Sequence, residues 1–484
     1  MESITTDLVV IGAGPGGYAA AFYAADKGKR VILVEQDTRL GGVCLNRGCI
    51  PSKALLHATA LMREANASGD IRGITFGAPQ VNLATLRAWK ESILERLGQG
   101  ISGLSRQRGV AVWHGRAQFE DSTTLRVQTD DGLQQIRYQT AIVAVGSQPT
   151  LPEAFGLGDP RIMTSTEALE LDEIPRDLLV VGGGYIGLEL GTVYATLGSR
   201  VVLVEAMESI LMGVDQDLAR PVVRYLERAF KALHLGTTVV AIDTRGTQLR
   251  VTVQTHGEQR DERYDRVLVC IGRVPNCDDL GLERTKVTRD AKGFISVNER
   301  QQTADPSIYA IGDVVGGPML AHKAAREARV AVEVIAGEAS SRADVIIPAV
   351  VFTDPEIAWC GLTEAEARAQ GVPVEVAKFP WSASGRAVSL DRPDGLTKLI
   401  IDPETERILG VGIVGVNAGE LIGEGVLAIE LGATADAMAK TVHPHPTLSE
   451  TLQEAAELFY GYATHAVART RRDSVLGRRG GGDG

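Results

Sequence analysis

The chain carries one short pattern twice, and that repetition limits its fold more than any other feature. An apolar run, Leu8-Val9-Val10-Ile11, leads into the turn Gly12-Ala13-Gly14-Pro15-Gly16-Gly17, an Ala-rich helical stretch from Tyr18 to Lys27, and a second apolar run from Val31 to Val34. Leu178 to Val181, Gly182-Gly183-Gly184-Tyr185-Ile186-Gly187, Leu188 to Leu197 and Val201 to Val204 repeat that order. Each reads as a βαβ unit with G-x-G-x-x-G at its first turn. The first glycine permits the bend, the second lets backbone approach a diphosphate, and the third lets helix pack on strand; the diphosphate sits at the helix N-terminus. Glu35 and Glu205 each follow the last glycine by 18 residues, where a carboxylate accepts hydrogen bonds from a ribose diol. Two such units predict two dinucleotides, one flavin and one nicotinamide. Glu205 repels a 2′-phosphate and residues 206–209 are not basic, so the second site is expected to take NAD rather than NADP.

Length and composition set the rest of the frame. A chain of 484 residues predicts about three domains. Glycine is in excess, 54 residues, or about 11% against a usual level near 7%; the turns absorb part of it. The net charge of −11 gives no general attraction to nucleic acid or anionic lipid. No run of 18 apolar residues free of Gly, Pro and charge occurs, so no transmembrane helix is expected. The polar, acidic start before Leu8 is unlike a secretory signal, which predicts a cytoplasmic protein. Five cysteines, an odd number, argue against a secreted disulfide framework. Helical patterns cover 53–67 and 82–107, β-type segments 110–146 and 237–271, and a strand, glycine turn and long helix 308–336. From about 346 the character changes to a further set of strands and helices. The last stretch, 471–484, holds four arginines and five glycines and is expected to be disordered.

Cys44 and Cys49 lie in Gly41-Gly42-Val43-Cys44-Leu45-Asn46-Arg47-Gly48-Cys49-Ile50-Pro51-Ser52-Lys53, shortly after the first βαβ unit. Their C-x4-C spacing is not the C-x-x-C of thioredoxins and is a poor zinc half-site; no metal is expected. A thiol pair beside a flavin can pass electrons to or from a disulfide substrate. On spacing alone, two buried cysteines packing as small hydrophobes are equally admissible. The segment His443-Pro444-His445-Pro446-Thr447-Leu448-Ser449-Glu450 places a carboxylate five residues after a histidine. A thiol with a pKa near 8.5 is a poor nucleophile at neutral pH; an imidazole deprotonates it, and a carboxylate fixes the imidazole's tautomer. On spacing alone an ordinary surface or core histidine is the better reading, and His443 stands nearby without a role.

The Gly41 to Lys53 segment resembles the redox-active disulfide segment of the pyridine nucleotide–disulfide oxidoreductases, and its Asn46 to Lys53 ending is similar to members that oxidise dihydrolipoamide. Further motifs resemble the family along nearly the whole chain: Ala144-Val145-Gly146 and Cys270-Ile271-Gly272-Arg273-Val274-Pro275-Asn276 at the domain crossings, Tyr309-Ala310-Ile311-Gly312-Asp313 at the second flavin motif, Met319-Leu320-Ala321-His322 after it, and Phe379 to Ala387 in the interface domain. The resemblance implies an α/β fold: two Rossmann-like dinucleotide-binding domains and an α+β dimerisation domain. It places the FAD domain at 1–148 and 276–345, the NAD domain at 149–275 and the interface domain at 346–470. It implies Cys44 and Cys49 as the redox pair, His445 as base, Glu450 as its orienting carboxylate, and a Lys53–Glu189 pair at the flavin edge. FAD contacts are expected from Gly12, Gly14, Gly16, Gly17, Glu35, Gly42, Val43, Lys53, Ala117, Gly146, Asp313 and Ala321. NAD contacts are expected from Gly182, Gly184, Tyr185, Ile186, Gly187, Glu205, Val239 and Gly272. The implied reaction is oxidation of protein-bound dihydrolipoamide with NAD+ as acceptor, in a homodimer whose histidine comes from the second subunit. The implied partner is a lipoylated carrier: a 2-oxoacid dehydrogenase acyltransferase, a glycine cleavage carrier or a lipoate-binding protein. Rival readings are an NAD(P)H-driven reductase of a small disulfide or of mercuric ion, and a flavin-containing redox sensor with little turnover. The absence of any cysteine after Cys360 and the set Cys44, Cys49, His445 and Glu450 weigh against them.

Overall fold

A computed structural model describes residues 3–155, 158–341 and 345–467; the tail at 471–484 lies outside them. The chain parts into two compact units. One holds Met1–Gly182, Val193–Val204 and Thr237–Asp344; the other holds Gly183–Thr192, Glu205–Gly236 and the chain from Val345 on.

The first unit is built on strands β1 (Ser3–Ile11), β2 (Val31–Glu35), β3 (Ala111–His114), β4 (Arg116–Asp121), β5 (Thr124–Thr129) and β6 (Gly132–Val143), in the order β3-β2-β1-β6-β5-β4. Strand Ile308–Ala310 also pairs with β6. β1 runs parallel to both β2 and β6, with Val10 opposite Leu33 and Ile142. Leu8, Val9 and Val10 are fully buried, as a parallel strand covered on both faces requires. Helix α1 (Pro15–Asp26) presents Ala20, Ala21 and Ala24 to the core that also takes Ala328 and Ala331 of helix Ala321–Ile335; small side chains let the helices approach closely. Phe119, Leu125, Ile136 and Ile295 fill the other core.

Strands Asp177–Val181, Arg200–Val204, Arg266–Val269 and Ile162–Met163 make a second parallel arrangement in this unit, and 237–264 folds as a three-stranded antiparallel sheet. Ser147–Pro149 pairs antiparallel with Arg273–Pro275. The helical pattern read at 53–67 extends further than its periodicity suggested. The glycine-rich cysteine segment itself is helical: α2 (Gly42–Arg47) carries Cys44 and α3 (Cys49–Arg72) begins at the second cysteine. Gly48 separates them, and a Cβ there would press on Val43 O at 3.0 Å. α4 (Leu83–Gln107) starts on an Asn82 cap accepting from Thr85 N–H.

The second unit contains a five-stranded antiparallel sheet in the order Ala349–Val351, Glu356–Gly361, Ile408–Gly415, Leu396–Ile401, Glu375–Pro380. Its core gathers Phe379, Trp381, Leu399, Ile413, Leu452 and Phe459. The Trp381 indole donates to Thr397 Oγ1 at 2.9 Å, and Thr397 donates to Thr451 Oγ1 at 2.8 Å. That buried chain fastens helix Glu450–Tyr460 to the sheet at its first turn, where Glu450 stands. Among the described residues, no helix is long and apolar enough to cross a membrane.

Candidate active site

The first glycine turn is shaped by what its residues lack. Gly12 has φ +96°, and a Cβ on it would lie 2.5 Å from Ala144 O; a Cβ on Gly17 would lie 1.8 Å from Gly12 O. No side chain could be accommodated at either place. Gly14 is the contrast: a Cβ on it would meet nothing nearer than Gly42 Cα, at 4.0 Å. It is the N-cap of α1, and no side chain caps that end. An open glycine at an uncapped, 12-residue helix N-terminus is the arrangement a diphosphate needs, so these residues fit a dinucleotide such as FAD. Buried Glu35 accepts from Ala13 N–H at 2.7 Å and from Asp37 N–H at 2.9 Å. Beyond the ribose role expected from sequence, this carboxylate braces the turn.

The cysteine segment packs directly on that turn. Gly41 N–H donates to Ala13 O at 2.9 Å, and a Cβ on Gly42 would lie 2.6 Å from Gly14 Cα. Gly41 and Gly42 both have positive φ, which only glycine adopts at low cost. Cys44 and Cys49 are present as thiols, not joined in a disulfide. A side-chain hydrogen bond with Cys49, then burial, pushes the Cys44 thiol well above its ordinary range, against the pull of the Lys53 cation. Tyr18 of α1, which sequence reading did not single out, lies near both sulfurs; burial, then Cys44 and Cys49, push its phenol up.

The second turn repeats the plan. Gly182 has φ +110° and would press a Cβ on Cys270 O at 2.3 Å, while nothing lies within 4 Å of the space beside Gly184. Glu205 accepts from Gly183 N–H at 2.6 Å and Met207 N–H at 2.8 Å, as Glu35 does in the first. Gly182, Val239 and Gly272 belong to the first unit; Gly184, Tyr185, Ile186, Gly187 and Glu205 belong to the second. Tyr185 is exposed. The open space beside Gly184 fits the approach of a second dinucleotide.

His445 and Glu450 are brought together in the second unit. His445 Nδ1 lies 2.8 Å from Glu450 Oε1, and the other oxygen of that carboxylate accepts from Thr447 N–H at 2.6 Å. Burial raises the Glu450 carboxyl, but Thr447 N–H and His445 outweigh it and hold it below its ordinary value. A carboxylate at Nδ1 places the proton there and leaves Nε2 as the base. The His445 side chain is 70% exposed. Glu189 is buried and accepts from Phe352 N–H at 3.0 Å, so it is not an ordinary surface charge; Lys53 is half-buried on α3.

Other residues act on the flavin motif without any local signal. Asp313 Oδ2 accepts from Ser147 Oγ at 2.5 Å, and Arg273 donates to Ser147 through Nε and Nη2, each at 2.7 Å. Gly312, with φ +80°, is clamped by an ion pair of helix Ala321–Ile335: its N–H donates to Glu327 Oε2 at 2.8 Å and its C=O accepts from Lys323 Nζ at 3.3 Å. Lys323 and Glu327 are 2.9 Å apart and almost wholly buried. Asp313 is thus held through its carboxylate and through the neighbouring Gly312, and a carboxylate fixed in this way suits a hydroxyl-bearing ligand. Gly146, Ala117 and Ala321 belong to the same unit, Ala117 on β4 and Ala321 opening helix Ala321–Ile335.

Comparison with known proteins agrees with this geometry. Residues 6–328 match the family described as pyridine nucleotide-disulphide oxidoreductase, and residues 347–456 match that family's dimerisation domain. A dihydrolipoyl dehydrogenase of Vibrio parahaemolyticus is 46% identical over 96% of this chain and 97% of its own length; that of Haemophilus influenzae is 46% identical over 98% and 99%. Among solved structures, LpdA of Mycobacterium tuberculosis superposes with a TM-score of 0.87 at 28% identity, covering 94% of this chain and 99% of its own. A Cu(II) complex of an HOCl-induced flavoprotein disulfide reductase from Escherichia coli gives 0.84 at 28%, covering 95% and 100%. A chain matched so completely, with its thiol pair seated on the first glycine turn, belongs to the pyridine nucleotide-disulphide oxidoreductase family.

Proposed function

We propose that the chain works as a homodimeric dihydrolipoyl dehydrogenase, oxidising protein-bound dihydrolipoamide to lipoamide and reducing NAD+ to NADH. The observation that carries this reading is the docking of the Cys44/Cys49 helix pair on the Gly12–Gly17 turn, through Gly41 N–H and the Gly42–Gly14 contact. Relatives of that name, 42–46% identical over 96–98% of the chain, support the substrate. Glu205, with no cation at 206–209, supports NAD.

His445 Nε2 accepts the proton of a dihydrolipoyl thiol, and the resulting thiolate attacks Cys44 Sγ of the oxidised pair. The Cys44–Cys49 bond breaks and Cys49 leaves as a thiolate. The second lipoyl thiol gives up its proton and attacks the lipoyl sulfur bonded to Cys44; the lipoyl ring closes and Cys44 is released. Two electrons now rest on the cysteine pair. The Gly12–Gly17 turn would hold FAD, which when bound would supply two-electron transfer between the pair and NAD+, with one of the two thiol protons left for solvent. The upward push on the Cys44 thiol supports a division in which Cys44 meets substrate and Cys49 would face the flavin. Glu450 holds the His445 tautomer and stabilises the imidazolium. The exposed His445 ring supports its use by the partner's thiol pair, and the dimerisation-domain match supports the homodimer. The domain division, the Lys53–Glu189 pair, the lipoylated carrier as partner and the cytoplasm as compartment belong to the same proposal.

The test is steady-state NADH formation from dihydrolipoamide by purified FAD-loaded protein. Little turnover in protein carrying its flavin would sink the reading. In Cys44→Ser, lipoamide turnover is lost while the Cys49 thiolate keeps its long-wavelength flavin absorbance; the opposite result with Cys49→Ser would reverse the two sulfurs.

A further inference from the structure

His443 has no part in the mechanism above, yet it is the better anchored of the two histidines. Its side chain is only 5% exposed. Nε2 lies 2.7 Å from Glu424 Oε1 on helix Ala418–Glu430, and Nδ1 lies 3.0 Å from Thr441 O. A single proline separates it from His445, and proline fixes φ. On the other side of His445, Thr447 Oγ1 donates to Pro444 O at 2.8 Å and Thr447 N–H donates to Glu450. The backbone bearing the exposed imidazole is therefore tied at both ends: to helix Ala418–Glu430 through His443 and to helix Glu450–Tyr460 through Thr447.

From this geometry we infer that His443 and Glu424 form a second imidazole–carboxylate pair, a positioning pair that aims His445 at the substrate thiol. The inference rests on His445 being the base. A base displaced by about 1 Å loses much of its rate, on the order of a hundredfold. The pair acts only through His445, so its loss slows proton removal from dihydrolipoamide and leaves flavin chemistry that needs no base.

The experiment compares two activities of the same holoenzyme: NADH formation from dihydrolipoamide, and NADH-driven reduction of ferricyanide, which bypasses the thiol pair. In His443→Ala and Glu424→Ala, kcat/KM for dihydrolipoamide falls about tenfold or more, while the ferricyanide rate stays within about twofold. His443→Gln, whose amide N–H reaches Glu424, recovers most of the loss; Glu424→Gln, which keeps an acceptor, stays near the parent. Equal loss of both activities, or no loss of the first, overturns the inference. If His443→Ala fails to retain flavin, His443→Gln set against Glu424→Ala decides the question by the same ratio. His445→Gln separates the two layers. If it keeps dihydrolipoamide turnover, the reading of the base fails; if it loses turnover while His443→Ala matches the parent, only the positioning role fails.

Discussion

The pairing of His445 with Glu450 makes the sharpest quantitative demand. In Glu450→Gln one carbonyl oxygen must replace two carboxylate oxygens, which now serve His445 Nδ1 at 2.8 Å and Thr447 N–H at 2.6 Å. The amide cannot accept both, and it brings no charge to the imidazolium formed as the thiol proton arrives. A hydrogen bond to a charged group contributes about 1.5–3 kcal/mol and a neutral one about 0.5–1.5. The difference is near 1–1.5 kcal/mol, or about tenfold in rate. Solvent around the exposed imidazole discounts the figure for an isolated protomer; covering by a partner restores it. Glu450→Ala forfeits both bonds and falls roughly a hundredfold. The assay is stopped-flow: reduction of the oxidised enzyme by dihydrolipoamide slows by these factors, whereas flavin reduction by NADH is unchanged. A dihydrolipoamide rate within about twofold of the parent in Glu450→Gln would refute the pairing as the source of the base. The pH dependence has a defined sign. The Glu450 carboxyl is held below its ordinary value in the fold, so its contribution is complete above the ordinary carboxylate range and is lost only as pH falls through the lowered value.

Further outcomes follow from other charged groups. Glu205→Arg raises KM for NADH by about tenfold or more, as loss of two charge-assisted bonds implies, and the gain with NADPH is smaller than that loss because Gly183 and Met207 N–H are left without their acceptor; a full exchange of preference in steady-state kinetics would show that the bracing is dispensable. Lys398, 1% exposed, donates to Asp215, Asp217 and Glu364 at 2.6–2.9 Å. Lys398→Met therefore destabilises the second unit by about 3 kcal/mol or more, read as an earlier thermal transition, and adding Asp215→Asn returns part of it; strict additivity would contradict a coupled network. In the same network burial raises Asp217, but Lys378 and Lys398 outweigh it and hold it low, so this contribution disappears as pH falls through the lowered value. Glu327→Gln weakens FAD retention, measured by flavin fluorescence on dilution, more than it lowers activity of the protein that keeps its FAD; unaltered retention would mean Gly312 holds its place without the clamp.

What could be read from sequence was whatever chemistry is local. The two turns, the thiol pair and the His445–Glu450 spacing each lie within a few residues, so residue type and order suffice. The helical form of the cysteine segment was not legible, because Gly41, Gly42 and Gly48 disfavour helix in any local reading; Gly48 breaks the helix only once, between the two cysteines. The support of Asp313 was invisible for a different reason. Ser147 and Arg273 stand 126 residues apart, and Ser147 and Asp313 stand 166 apart; no periodicity connects them. The second βαβ unit shows a third kind of gap. Its pattern is continuous in sequence, yet Gly183–Thr192 and Glu205–Gly236 cluster with the chain from Val345 on. The reason is visible at Asp215, whose carboxylate takes Glu364 N–H, Ala365 N–H and the Lys398 ammonium.

The buried charges of this fold have a common logic. Replacing a buried ion pair by apolar residues is often neutral or stabilising, so the Lys323–Glu327 pair is weakly explained by stability. Its geometry points elsewhere: the two ends of the pair take the N–H and the C=O of one residue, Gly312. Glu35 and Glu205 do the same kind of work on Ala13 and Gly183. A turn that must let a cofactor approach its backbone needs small residues, and glycine brings the largest loss of conformational freedom on folding. Such a turn has no side chain of its own to hold it in place. A carboxylate reaching in from an adjoining strand or helix supplies the missing restraint, and it binds amide donors more strongly than a neutral acceptor would. The excess of glycine and the bracing carboxylates are then two sides of one requirement: backbone bare enough to be approached, and fixed enough to be recognised.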